Sequence, residues 1–322
     1  MSILSDYFAD IASAIKSKDS SIVNLTPSEM AGAINSMELS PGPEWVATTM
    51  PSFVNWRAVT YGAGKFVAVS YGSNRAAYST DGTNWTATTM PSISQWCSVT
   101  YGAGKFVAII YPTKKVAYST DGINWTATTL PSSARLSSVT YGAGKFVAVA
   151  EGTIAAYSED GINWTATTLP SNATWHSVTY GNGKFVAVAY NSDNAAYSSD
   201  GINWTAATMP VSIQWQSVTY GNGKFVAVGS GNKAAYSTDG INWTASTMPS
   251  SAFWCSVTYG AGKFVAVASS GLTAYSYDGI TWAETTMPSN LYWYSVTYGA
   301  GKFVATANSS DTAALLDVTP NP

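Results

Sequence analysis

Six aspartates recur at nearly equal spacing, Asp81, Asp121, Asp160, Asp200, Asp239 and Asp278, each within a Tyr-Ser-x-Asp-Gly-x-(Asn/Thr)-Trp phrase. Acidic side chains in such number invite a catalytic or a calcium-binding reading. Their sameness argues for a structural one. An Asp repeated in identical surroundings performs one local task each time: it accepts backbone N–H bonds inside its own turn, while the Gly takes a positive φ and the Trp packs between neighbouring units. Catalysis needs asymmetry, so chemistry is to be sought among residues that are not repeated.

Those are few. The chain has three arginines, Arg57, Arg75 and Arg135, one histidine, His176, and two cysteines, Cys97 and Cys255. Glu151 is the acid outside the repeated phrases that is expected to reach the same face as Arg135. Glycoside hydrolysis would require a second carboxylate within roughly 5 to 10 Å of it, and no Tyr–Glu pairing anchored to the arginines is legible. One histidine and two isolated cysteines do not form a metal-ligand cluster. Cys97 and Cys255 occupy the same repeat position three units apart, whereas a disulfide needs Cα atoms within about 7 Å. Free, mostly buried thiols are expected, with no metal and no cofactor.

The elements that position these residues come from internal repetition. Val-Thr-Tyr-Gly-(Ala/Asn)-Gly-Lys-Phe-Val-Ala occurs seven times, its first valine at Val59, Val99, Val139, Val178, Val218, Val257 and Val296. Each unit of about 40 residues reads as four short strands, as in Trp96 to Tyr101, Lys105 to Tyr111, Val116 to Ser119 and Trp125 to Thr129. Dense Val, Tyr, Phe, Trp and Thr between Gly and Asp-Gly punctuation argues for tight hairpins. Four antiparallel strands per repeat of this length make the blade of a β-propeller. The seventh unit lacks its fourth strand, ending at Leu315 to Thr319, and Glu44 to Pro51 matches the missing piece. The expected fold is all-β: a seven-bladed propeller over 44–322, its last blade closed by the N-terminal strand, after a helical hairpin over 1–40 and a linker at 41–43.

The Ser-x-Asp-Gly-x-(Asn/Thr)-Trp phrase resembles the Asp-box of sialidase-like and related bacterial propellers, with one residue fewer between Asp and Trp, which implies a tighter turn. Sialidases use three converging arginines, a tyrosine nucleophile with its glutamate, and a separate acid. This chain does not show that set, and likeness of fold does not supply it. No enzymatic activity is expected.

Strand alternation puts the Gly-(Ala/Asn)-Gly turns and the Asp phrases on one face of the disc, and the second-to-third and unit-to-unit connections on the other. The first face is nearly constant. The second carries almost all the variation and is rich in Tyr, Asn, Ser, Gln and Trp, which suits neutral polar ligands such as glycans; free drift of loops is the alternative. Trp56, Trp96, Trp175, Trp215, Trp254 and Trp293 open the first strand of six units, with Leu136 in the seventh. A leucine fills an apolar socket but cannot stack on a sugar, so this ring reads as core. Its neighbours Arg57, Arg135, His176, Gln216, Tyr292 and Tyr294 are the more exposed ligand candidates.

Residues 1–40 differ in character. Leu4, Phe8, Ile11 and Ile15 follow helical spacing, Thr26-Pro27-Ser28-Glu29 is a helix start, and Met30, Ile34 and Met37 continue an apolar stripe. Two short helices of this size rarely bury enough surface alone, so the stripes need a partner, another subunit or a scaffold, the alternative being that they lie back on the disc. Ala9 to Lys16 followed by Leu25 to Ile34 resembles the helical module at the ends of bacteriophage tail and head-fibre proteins, with Lys18-Asp19-Ser20 at the intervening turn. The resemblance implies docking on other virion proteins through residues 1–40, a homo-oligomer, and a propeller displayed outward.

Only 10% of residues are charged and the net charge is -3, against about 25% charged in ordinary domains. No basic footprint for nucleic acid exists, and no stretch approaches a membrane span. Met1 to Ser5 leads into no signal-peptide core. The expected location is the virion, after synthesis in the host cytoplasm. Three functions stay open: adhesion to bacterial surface glycan, ligand-free decoration of a capsid or tail, and a sialidase-like glycosidase.

Overall fold

A computed structural model describes residues 44–318. The hairpin expected over 1–40 and the linker after it lie outside these residues. The described chain forms twenty-one strands, Val46–Gly62 to Ser310–Asp317, and no helix. All named pairings are antiparallel, for example Val99 with Ala108, Phe106 with Ser119 and Ala117 with Ala127.

Local chemistry explains the unit. The Phe-Val-Ala strand has core on both sides, so Phe106, Val107, Ala108 and Ile109 are fully buried and read as a continuous apolar run. The turn before it places two successive residues at positive φ, as in Ala103 (45°) and Gly104 (73°), which is the two-residue hairpin geometry that matches strand twist. Asn182 and Asn222 replace the alanine in two copies. The second turn is built by the repeated aspartate. Asp121 Oδ1 accepts N–H bonds from Ile123 and Asn124, and Oδ2 accepts from the Asn124 side chain, all at 2.8 Å. Ser119 Oγ donates to Asp121 Oδ1 at 2.9 Å and accepts from Gly122 N at 2.8 Å. Asp81, Asp160, Asp200, Asp239 and Asp278 each hold their own turn in the same way. These carboxylates are consumed locally, and among the described residues no cluster suited to a metal ion exists.

Between units the chain often runs on as one long strand that changes partner half-way. Val46 to Thr49 pair with Leu315 to Thr312, and Asn55 to Gly62 with Tyr71 to Lys65. The register with the first partner slips across Pro51, which has no N–H to give a ladder, and after Val54 has paired once more with Ser310 the change of partner falls at Asn55. The unit-to-unit connections, such as 53–57 and 92–97, are therefore strand rather than loop; extended backbone can bridge two sheets without leaving β geometry. The front strand's pairing with Leu315 supplies the piece missing from the last unit.

Neighbouring units interlock by one repeated contact. A Cβ on Gly62 would overlap the ring of Tyr101, and the same holds for Gly102 with Tyr141, Gly142 with Tyr180, Gly181 with Tyr220, Gly221 with Tyr259 and Gly260 with Tyr298. Gly299 then meets Tyr61, so the contacts form a cycle. A second link follows the same path: the N–H of Val178 donates to Ser138 Oγ, that of Val218 to Ser177, and that of Val59, across the seam, to Ser295.

The core lies between the units. Trp56, Trp96, Trp175, Trp215, Trp254 and Trp293 are at most 1% exposed, and each indole N–H donates to the carbonyl four residues earlier, as Trp96 does to Ser92 at 3.1 Å. Burying one indole removes about 150–250 Å² from water, worth roughly 4–6 kcal/mol. Leu136, fully buried, fills the seventh socket. The ring is scaffold.

Candidate functional site

Directly after each of these core residues the ladder slips. Trp56 pairs with Ser70 and Ala58 with Val69, so Arg57 is an extra residue with no partner in the register. The same slip isolates Cys97, Ser137, His176, Gln216, Cys255 and Tyr294 in the other units. A β-bulge leaves one residue off the ladder and re-aims its side chain. Seven equivalent bulges carry Arg, Cys, Ser, His, Gln, Cys and Tyr on a scaffold that is otherwise almost uniform.

Six of the seven, all but Cys255, line one cavity of about 330 Å³. The remaining walls come from Leu136 and from two further repeat positions. Arg135, Thr174, Phe253 and Tyr292 lie two residues before a bulge, and Tyr71, Tyr111, Glu151 and Tyr190 lie at the end of the facing strand. All six ligand candidates read from the sequence, Arg57, Arg135, His176, Gln216, Tyr292 and Tyr294, are brought together here. Arg75 is not among the lining residues. One expectation fails in detail: Gln216 is buried, 5% exposed, because its bulge turns the side chain inward.

Arg57 lies flat on an aromatic stack. Its guanidinium carbon is 3.5 Å from the centre of the Tyr294 ring, and Tyr294 stacks on Tyr292 with centroids 5.2 Å apart and planes 19° apart. This contact supplies cation–π attraction. Among the described residues Arg57 has no ion pair. Burial pulls its pKa down, opposed by Cys97, Cys255, Tyr292 and Tyr71. Burial in turn pushes Cys97, Cys255 and Tyr292 each up to about 12, so none of these three is an anion at neutral pH.

The second arginine is neutralised. Arg135 Nη1 bonds Glu151 Oε2 at 3.0 Å, and Tyr111 donates its hydroxyl to Glu151 Oε1 at 3.0 Å. A Tyr–Glu–Arg group therefore does exist, contrary to the sequence reading. It was missed because Tyr111 and Glu151 are 40 residues apart; at one full repeat, such residues are neighbours across adjoining units. Burial, then the bond to Glu151, raise the Tyr111 pKa. Glu151 is the one carboxylate on the cavity wall.

His176 Nδ1 lies 2.9 Å from the Gln216 carbonyl oxygen. A carbonyl can only accept, so Nδ1 carries the proton and Nε2 keeps its lone pair. Burial, with the Arg57 charge as a smaller cause, lowers the His176 pKa from 6.5 to about 4 against the Gln216 bond; the ring is neutral at physiological pH. The Gln216 side-chain nitrogen is buried with no hydrogen-bond partner. Cys97 and Cys255 are free thiols, the first half-buried and the second buried.

A family model, the DUF6242 β-propeller domain, matches residues 98–212. The chain carries a β-propeller domain. The solved structures agree on this fold. The propeller is similar to virginiamycin B lyase from Staphylococcus aureus, at a TM-score of 0.78 and 14% identity over 86% of this chain and 99% of that one. It is also similar to YCF48 from Cyanidioschyzon merolae, at 0.68 and 15% over 85% and 98%, and to YCF48 bound to D1 peptide, at 0.70 and 16% over 87% and 97%. No curated protein sequence matches. At these identities the likeness concerns the propeller fold alone.

Proposed function

We propose that this chain is a non-enzymatic, seven-bladed propeller that binds bacterial surface glycan in the bulge-lined cavity and is carried on a bacteriophage virion by its first 40 residues. The observation that carries the binding reading is the contrast between seven nearly identical units and seven bulge residues of which six converge on one cavity. Packing does not require that diversity, because the sockets beneath are filled by the same tryptophan six times over. A cavity with tyrosine walls and a few convergent polar groups suits a saccharide, whose C–H face meets aromatic rings while amides and hydroxyls pair.

Seven repeats and the cyclic Gly–Tyr contacts support the count of seven blades. The resemblance of the 1–40 sequence to a phage fibre module is what supports virion attachment through other virion proteins, as a homo-oligomer made in the host cytoplasm. Repeated display would add avidity, about 10² to 10⁴ over a single site. The test is binding of the full chain to glycan arrays and to bacterial cells. Saturable binding lost in Tyr294→Ala supports adhesion; absence of binding to both leaves a ligand-free decoration.

The Tyr111–Glu151–Arg135 group favours a second reading, a glycosidase. It lacks the second carboxylate that hydrolysis uses. Turnover of a glycan by the native chain, lost in Glu151→Gln, would replace adhesion with catalysis.

A further inference from the structure

The cavity holds donors that nothing among the described residues satisfies. Arg57 is a cation without an ion pair among the described residues, and its flat contact with Tyr294 holds the guanidinium in place. Gln216, 5% exposed, presents an amide nitrogen with no partner. A buried donor left unpaired is costly, more so when charged, and such groups in a native cavity call for an explanation. The two sit on bulges of different units yet line the same space. The one carboxylate on the wall, Glu151, is already held by Arg135 and Tyr111. The cavity as built therefore has an excess of one positive charge, with two arginines against one glutamate.

We propose that the ligand of this cavity is anionic, and that an oxyanion group, a carboxylate or a phosphate, docks on the Arg57 guanidinium and the Gln216 amide. This rests on the glycan reading for the rest of the ligand: the cavity takes an acidic saccharide rather than the neutral one expected from composition. An oxyanion accepts several hydrogen bonds and suits the planar fork of arginine. His176 stands beside it as a neutral ring whose Nε2 can accept from a ligand hydroxyl. Neutral phenols and thiols around Arg57 leave the charge for the ligand to neutralise.

The chain's single histidine provides the test, because its ring resonances report from the cavity wall without overlap. The full chain is titrated by NMR with glucuronate, glucuronate methyl ester, glucose and inorganic phosphate, each to about 50 mM. The proposal expects saturable shifts of His176 with glucuronate or phosphate, at least tenfold weaker with the ester and glucose. The charged ligands should weaken at least tenfold in Arg57→Gln, partly recover in Arg57→Lys, and weaken severalfold in Gln216→Met, which keeps the arginine. Glucuronate without phosphate assigns a carboxylate; the reverse assigns a phosphate. Equal response to charged and neutral ligands, indifference to Arg57→Gln, or no shift with any ligand overturns the anion site. A glycan array positive only for neutral saccharides keeps the glycan reading and sinks this one. A negative array with a saturable phosphate or glucuronate response does the opposite.

Discussion

Gly299 lies directly beneath the ring of Tyr61, the two residues separated by most of the chain yet placed as Gly142 and Tyr180 are within it. The seam is packed like any interior junction. Gly299→Ala and Gly142→Ala should therefore destabilise alike, each by about 1–3 kcal/mol from overpacking against an aromatic ring. Urea unfolding of both variants checks this; a far smaller loss for Gly299→Ala would mean that the ring is open at the seam.

Five hairpin turns place an alanine at positive φ, Ala63, Ala103, Ala143, Ala261 and Ala300. That conformation costs an ordinary L-residue roughly 1–2 kcal/mol, and Asn tolerates it better. Asn222 also donates from its side chain to the Tyr277 carbonyl at 3.1 Å. Ala103→Asn should raise stability by about 0.5–1 kcal/mol, seen as a higher Tm, and the same change in several turns should add.

Acid should unfold the protein in two stages. Hydrogen bonds from the Asn84 backbone and side chain, helped by Thr83 and Ser79, hold the Asp81 carboxyl well below the usual range against desolvation. At Asp121, Asp160, Asp200 and Asp239 burial pushes upward, and the sum of turn hydrogen bonds outweighs it. A carboxyl with a depressed folded pKa binds fewer protons folded than unfolded, so its stabilisation is present above about pH 4 and fades below it. His176 acts earlier. Burial lowers its pKa from 6.5 to about 4, so the unfolded chain takes up the proton first, and stability falls between those values by at most about 3 kcal/mol. Unfolding free energies should be flat near pH 7 to 8, decline from pH 6.5 to 4, and drop steeply below. His176→Gln should remove the first decline and keep the second.

The thiols should be inert. Burial pushes Cys97 and Cys255 up to about 12, and the thiolate is the reactive form. Iodoacetamide at pH 8 should leave both unmodified in the native chain and label both in urea, as mass spectrometry will report. Fast native labelling of Cys97 would show that the cavity ionises it.

Much of this architecture is written in the sequence because each repeat states it again. The Gly-(Ala/Asn)-Gly turn and the Asp turn mark the hairpins, and the phase of Trp45 against Trp85 identifies the front strand as the missing one. Leu136 among six tryptophans marks that ring as packing. The bulges are not legible in the same way. Strict alternation puts Arg57 opposite Trp56, but whether it pairs or slips off the ladder depends on Ser70 and Val69 across the sheet. Tyr71, Tyr111 and Tyr190 share one repeat position, which is the signal that could have placed them on the wall. The pairing of Tyr111 with Glu151 becomes visible only when one repeat length is read as adjacency in space.

A side chain that stands outside the ladder is released from strand pairing, and three of the seven reach instead to a carbonyl of the next unit, Cys97 to Leu136, Ser137 to Trp175 and His176 to Gln216. Seven small departures from pairing thus stitch unit to unit on the cavity side, in the same places where the repeats differ from one another.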